Sequence, residues 1–362
     1  MKLTFARLGN LHIAGKAIFE ALEVDVVLPP PPTKRTMSLG SLHSPEFACL
    51  PLKVNIGNYL EAMEKGANTI VMVGGIGPCR VGLYGEVQRQ ILEGLGHDIK
   101  MVVVEPPQGR LSGVLRQLRE LTGAQTITQY IKAANIGWRK LTAIDALEKL
   151  ALKVRPFEES RGDVSSALNT ALMLLDDADN PKDVACALEK GKTIIEVCHK
   201  KDDSDRPQIG IVGEVFMVLE PFVNCEIEKC LGEMGVVVHR SIYLSDWIME
   251  HVVKDAFRVL RKSKTPYELA KPYLCHFVGG HGVETIASTV DYARQGLDGV
   301  IQIAPFTCMP EIIAQDLLPT VSRDLGIPVM TLVLDEHSSG TGVLTRLEAF
   351  VDLVQMSRSS RR

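Results

Sequence analysis

The sequence lacks any apolar run approaching the roughly 18 residues that a membrane-spanning helix needs. Its opening stretch, Met1 to His12, also lacks the continuous apolar segment of a secretion signal. Basic residues are not in excess, since 40 Lys and Arg stand against 44 Asp and Glu for a net charge of -4. A nucleic-acid surface needs the opposite balance to neutralise phosphates. These absences argue against membrane and nucleic-acid roles and predict a cytoplasmic protein. No CxxC pair and no compact zinc spacing occurs among the eight cysteines. Cytoplasmic thiols stay reduced, so a disulfide framework is not expected either. The sequence has no internal period of the kind that builds solenoids. A phosphate loop of the form GxxxxGKS/T is missing, as is a full GxGxxG after the first strand.

What is present fits a globular chain of 362 residues, 46% hydrophobic and 23% charged. That length is enough for two domains of ordinary size. The pattern predicts an α/β fold with two Rossmann-like or flavodoxin-like parallel-sheet domains and a helical section between them. In the N-terminal domain, residues 1–112, strands are expected at Leu3 to Ala6, Val24 to Leu28, Thr69 to Val73 and Lys100 to Val104. Helices are expected at Ala14 to Leu22, Leu52 to Lys65 and Tyr84 to Leu95. The prolines Pro29 to Pro32 are extended, and a long loop should run from them to Cys49. Residues 113–206 read as the helical section and hinge, with helices over Leu115 to Leu121, Ala143 to Lys153 and Val164 to Leu175. In the C-terminal domain, 207–362, strands are expected at Gln208 to Val212, Val236 to Val238, Tyr273 to Val278, Gly299 to Ile303 and Pro328 to Leu334. Helices should cover Phe222 to Met234, Val283 to Gln295, Pro310 to Leu325 and Thr345 to Gln355, before a frayed basic tail from Ser357.

Three cysteines share one setting. Cys49 precedes a helix in Ala48-Cys49-Leu50-Pro51, Cys79 follows a strand in Gly77-Pro78-Cys79-Arg80, and Cys308 does the same in Phe306-Thr307-Cys308-Met309-Pro310-Glu311. Ligands of open α/β sheets bind beyond the carboxyl ends of the strands, so all three point to that edge. A helix N-terminus favours thiolate, the form that binds metal. The other five read as buried thiols. Cys225 and Cys230 would lie about 140° apart on one helix and Cys186 and Cys198 about 120° apart, while Cys275 falls in an apolar strand.

Weaker candidates lie at other strand ends. The turn Gly279-Gly280-His281-Gly282 could hold an anion on backbone N–H groups or simply make a tight bend. Glu214 and Glu284 suit either catalysis or a helix's first turn, where a carboxylate complements the dipole. His281 and His337 could carry protons near neutral pH or serve as hydrogen-bonded structural residues. Asp335 and Glu336 open a loop expected to be flexible, and Arg346 with Glu348 could form a buried ion pair.

The segments around Cys49, Cys79 and Cys308, with Gly210 to Glu214, Gly279 to Glu284, Asp335 to His337 and Thr345 to Phe350, resemble the 2-hydroxyacyl-CoA dehydratase D-component superfamily. The chain is most similar to its branch of CoA-substrate-specific enzyme activase-related proteins and is related to the double-cubane cluster proteins. The resemblance implies a [4Fe-4S] cluster, or a larger double-cubane-type cluster, held by Cys49, Cys79 and Cys308 at the interface of two α/β domains. Three thiolates leave one iron without a cysteine, where water, a substrate oxygen or another ligand could bind. Arg80 and Lys53 would then offset the negative charge of the thiolate-bound cluster.

The resemblance further implies anaerobic electron transfer. An ATP-dependent activator of the actin/Hsp70/sugar-kinase fold would inject a low-potential electron for radical dehydration or reduction of a small substrate. The missing phosphate loop makes this chain the receiver, acting with a homologous second subunit or as a homodimer. The alternatives are a non-catalytic iron-sulfur electron-transfer or scaffold subunit, and a nucleotide- or sugar-binding α/β protein with incidental cysteines.

Overall fold

The computed structural model describes residues 1–75, 77–104, 117, 119–123, 125–200, 205–249 and 265–361. The chain is α/β and divides into two compact units, each with its own four-stranded parallel sheet. The first is built on Met1–Trp138 with the short return Val278–Gly280; the second is built on Arg139–Tyr243, Thr265–Phe277 and His281–Arg362.

In the first unit β1 (Lys2–Thr4), β2 (Asp25–Val26), β3 (Thr69–Val73) and β4 (Lys100–Val104) stand in the order β2-β1-β3-β4. The strands alternate between faces, as a sheet covered on both sides requires. Leu3 and Val102 pack with Leu22, Val24, Leu121 and Ala133, while Ile70 and Met72 pack with Ile56, Tyr59, Tyr84 and Leu92. The helices are α1 (Leu11–Glu20), α2 (Lys34–His43), α3 (Leu50–Glu64) and α4 (Val81–Gly94). Helix α3 is buried along nearly its whole length from Leu50 to Ala62. Its tight crossing with α2 depends on two glycines. A Cβ on Gly40 would stand 1.8 Å from the Lys53 carbonyl oxygen, and one on Gly57 2.0 Å from that of Thr36.

The helical section contains α5 (Ile127–Val154), α6 (Asp163–Asp176) and α7 (Pro181–Val197). Asn180 starts α7 by accepting the N–H groups of Lys182 and Asp183, with Pro181 at the first turn. In the second unit β5 (Gln208–Gly213), β6 (Val237–Arg240), β7 (Gly299–Pro305) and β8 (Val329–Leu334) stand in the order β6-β5-β7-β8. All of β7 is buried. The intervening helices are α8 (Val215–Leu219), α9 (Ile227–Glu233), α10 (Leu244–Ile248), α11 (Thr265–Ala270), α12 (Gly282–Gln295), α13 (Met309–Leu325) and α14 (Gly340–Arg361). The edge strand β6 is tied to α5 and α9 by the buried Arg240, which pairs with Glu148 and with Glu228 at 3.4 Å and lies 4.3 Å from the Tyr243 ring centroid. Burial works against that charge, yet Glu228 and Glu148 outweigh it and raise the Arg240 pKa.

Several expectations need correction. The stretch expected as a long loop before Cys49 contains α2, started by a reciprocal pair of bonds between Thr33 and Thr36. Tyr273 to Val278 forms no strand, and Cys275 there is exposed. Cys186 is exposed too, so neither is a core thiol. Cys225 precedes α9 in a left-handed conformation (φ 59°), which removes the expected placement of Cys225 and Cys230 on one helix. The tail from Ser357 is helical as far as Arg361, and Arg358 pairs with Asp205 at 2.7 Å and Asp298 at 3.4 Å. Arg346 and Glu348 are both exposed rather than a buried pair. The helix expected over Leu115 to Leu121 falls largely outside the described residues.

Candidate functional site

Parallel strands and antiparallel helices bring the strand-to-helix turns of each sheet to its carboxyl edge. There, the two neighbours of the first strand leave a crevice where the winding direction reverses. In the first unit that crevice separates β1 from β3, and in the second it separates β5 from β7. Cys79 follows β3 and Cys308 follows β7. Cys49 begins α3, which runs back to the start of β3, so it also lies at the carboxyl edge.

Cys49 and Cys308 share a local setting although their helices differ in topology, the Cys49 helix leading into β3 and the Cys308 helix leaving β7. Each is the extended residue preceding a long helix, with φ of -69° and -75°, and each is followed two positions later by a proline in the first turn. The proline sacrifices no hydrogen bond there, and the thiol sits at the positive end of the helix dipole. Neither sulfur caps a backbone N–H of its helix. Thr307, directly before Cys308, has φ of 66°, a conformation costing an ordinary residue about 1–3 kcal/mol.

In the first unit the Cys49 and Cys79 segments are joined. Arg80 donates from Nη1 to the Phe47 carbonyl at 3.0 Å, linking the residue after Cys79 to the residue two before Cys49. The Cys49 Sγ lies 2.7 Å from the Tyr84 hydroxyl, and burial, with the nearby thiol adding, pushes the Tyr84 pKa up. Lys53 is buried, with its Nζ 3.2 Å from the Glu46 carbonyl. The turn at Gly279 lies against this edge: a Cβ on Gly279 would stand 2.8 Å from the Cys79 nitrogen. Phe47 and Leu83 are largely exposed beside the two cysteines.

The second unit has a buried acid in the first turn of the Cys308 helix instead. Glu311, three residues on, is completely buried; it accepts from Thr285 Oγ1 at 3.0 and 3.1 Å and from Gln302 Nε2 at 2.8 Å. Gln302 is itself fixed by the Thr331 hydroxyl at 2.8 Å. Burial pushes the Glu311 pKa up to about 7 against those hydrogen bonds, and the charges of Glu214 and Glu284 push the same way. Glu214 caps α8 by accepting the Met217 N–H at 3.0 Å, and burial raises its pKa to about 7 as well. The fold therefore gathers Glu214, Glu284 and Glu311 near one another. His281 precedes α12, where its carbonyl accepts the Thr285 N–H at 2.7 Å. His337 is exposed in a turn organised by Asp335, whose carboxylate accepts the His337 N–H at 3.0 Å and the Ser338 hydroxyl at 2.9 Å.

Of these residues, the sequence pattern did not mark Gln302 or Thr285, gave Glu311 only within a motif and Tyr84 only as the start of an expected helix. The available signal for Glu311 was its position in the first turn of a helix after an otherwise apolar strand. For Gln302 it was a polar residue inside that same strand.

Among the described residues, no group of three or more His, Cys, Asp or Glu side chains is gathered to hold a metal ion. The donor chemistry still suits iron and sulfide: soft thiol ligands at helix starts, a hydroxyl on one sulfur, and cationic side chains on the Cys49 and Cys79 segments. No helix among the described residues is long and apolar enough to cross a membrane. The chain matches no protein-family model and no curated protein.

Proposed function

We propose that this chain is an iron-sulfur protein of the 2-hydroxyacyl-CoA dehydratase D-component type. Cys49, Cys79 and Cys308 are the proposed thiolate ligands of a [4Fe-4S] or larger cluster. The observation that carries this reading is the repeated Cys-x-Pro helix start at the carboxyl edge of two like-ordered sheets, with the Cys79 segment joined to one of them through Arg80. A core thiol needs neither the edge position nor the proline; a metal-binding thiolate gains from the helix dipole. When bound, such a cluster supplies one-electron chemistry at low potential.

The residues of this chain have separate tasks in that reading. The Tyr84 hydroxyl holds the Cys49 sulfur, and Arg80 and Lys53 offset negative charge at the edge. Glu311 and Glu214 hold protons beside the edge of the second sheet. The electron comes from an ATP-dependent activator of the actin/Hsp70/sugar-kinase fold, and the setting is the reducing cytoplasm. Cluster reduction that needs ATP and such an activator, together with negligible ATP binding by the isolated chain in calorimetry, is the expected result. Tight ATP binding by this chain alone would overturn the partnership.

A further inference from the structure

The one polar side chain within the wholly buried strand β7 is Gln302. Its amide is fully used: Oε1 accepts the Thr331 hydroxyl of β8 at 2.8 Å, while Nε2 donates to the Glu311 carbonyl at 3.0 Å and to the Glu311 carboxylate at 2.8 Å. Glu311 is as deeply buried as Gln302, and its carboxylate also takes the Thr285 hydroxyl of α12 at 3.0 and 3.1 Å. Thr285 is anchored in turn, since its carbonyl accepts the Thr289 hydroxyl at 2.8 Å. Strands β7 and β8 and helix α12 are thus tied to one residue in the first turn of α13.

A buried polar network holds no advantage in stability over apolar side chains of like volume, because desolvation offsets what its hydrogen bonds return. What it supplies is position. Between Gln302 and Glu311 lie two features that need it. Thr307 is β-branched and left-handed (φ 66°), a conformation that persists only where the surroundings over-determine it. Cys308 follows, 6% exposed, with its N–H on the Pro305 carbonyl at 3.0 Å. On the strand side the turn is fixed by the Phe306 N–H on the Leu334 carbonyl at 2.8 Å. On the helix side it is fixed by Glu311.

We propose that Gln302, Thr285 and Glu311 are positioning residues for Cys308, clamping the first turn of α13 so that the strained Thr307 turn holds the thiol in place. The purpose, an oriented ligand, rests on the reading of Cys308 as a cluster thiolate; the clamp itself is a property of the chain alone. Cys49 is held differently, through its sulfur by the Tyr84 hydroxyl at 2.7 Å, and so serves as an internal control.

Alkylation of the reduced, iron-free full chain by iodoacetamide, followed by peptide mass spectrometry, reads each cysteine separately. A thiol as buried as Cys308 reacts through local opening of its turn, so loosening the clamp raises its rate. Gln302→Leu and Thr285→Val should each speed the labelling of Cys308 by about tenfold, the effect of one lost hydrogen bond whose partner stays buried, and leave that of Cys49 unchanged. Thr285→Ser, which keeps the hydroxyl, should react at the wild-type rate. Should Gln302→Leu fail to fold, Thr285→Val, which removes one hydroxyl and keeps the shape, carries the test. An unchanged Cys308 rate in folded Thr285→Val, equal rises at Cys49 and Cys308, or a rise in Thr285→Ser as large as in Thr285→Val overturns the proposal. Iron is not read in this experiment, so failure of the clamp and failure of the cluster reading are separate outcomes.

Discussion

The two sheets share strand order and the Cys-x-Pro start, yet their carboxyl edges are built from opposite chemistry. The first sets Tyr84 on the Cys49 sulfur, with Arg80 and Lys53 on the same segments; the second gathers Glu214, Glu284 and Glu311, the last in the first turn of the helix that Cys308 starts. A common frame therefore does not dictate a common site. The side chains added at strand ends decide whether the edge favours negative charge or holds protons. In the proposed reading this is a division of labour, with charge stabilised at one edge and protons kept at the other.

The largest effect that separates the units is expected on stability. Arg240→Ala should cost about 3–5 kcal/mol, because it removes a buried cation that holds the partly buried carboxylates of Glu148 and Glu228. In the first unit the buried carboxylate among the described residues is Glu61, paired with the exposed Arg35 at 3.3 Å, and the sensitive point is the α2–α3 crossing. Gly40→Ala must displace the backbone at Lys53 and should cost about 1–3 kcal/mol or more. Denaturant titration reads both, and a change below about 1 kcal/mol in either would refute the corresponding packing argument.

A pH series probes the acid edge. An unfolded glutamate titrates near 4.5, whereas Glu311 and Glu214 in the fold titrate near 7. The folded state therefore holds more protons between these values, so their stabilisation is complete below about 4.5 and is lost as pH rises to about 7. Glu311→Gln keeps an acceptor for Thr285 and Gln302 without the charge. It should flatten that slope and gain on the order of 2–3 kcal/mol over the wild type at pH 8. Equal stability of the two proteins at pH 8 would show that Glu311 is not held neutral.

The smallest effect is at Tyr84. Tyr84→Phe removes one hydrogen bond to the Cys49 sulfur and should cost about 0.5–1.5 kcal/mol. It should alter the alkylation rate of Cys49 without altering that of Cys308; equal changes at both would dissolve the distinction between the edges.

Much of the architecture was legible in the sequence because β-branched runs alternated with helical periodicity. Strands β3 and β4 fall where the pattern puts them, and α12 and α13 begin one residue before their expected starts. Helix α2 was hidden because its opening uses Thr33 and Thr36 rather than an acidic third residue, and prolines stand just before it. Tyr273 to Val278 has a strand's composition, but apolar character says nothing of whether a neighbour offers an edge to pair with. In the second sheet β6 and β8 are the outer strands, and the segment joins neither. The edge cysteines were visible because their turns carry local marks. The acid cluster was visible only in part: Glu214 and Glu284 were marked at strand ends, but their meeting with Glu311 depends on the β6-β5-β7-β8 order.

The central claim, that the edge cysteines hold an iron-sulfur cluster, is tested most directly by iron and sulfide analysis of anaerobically purified protein. Wild type and the variants Cys186→Ser and Cys275→Ser, whose thiols are exposed outside the edges, should be brown and carry about four irons and four sulfides per chain for one cubane. Cys49→Ser, Cys79→Ser and Cys308→Ser should each lose most of that content. Iron-free wild-type protein after anaerobic reconstitution, or equal losses in all five variants, would contradict the account.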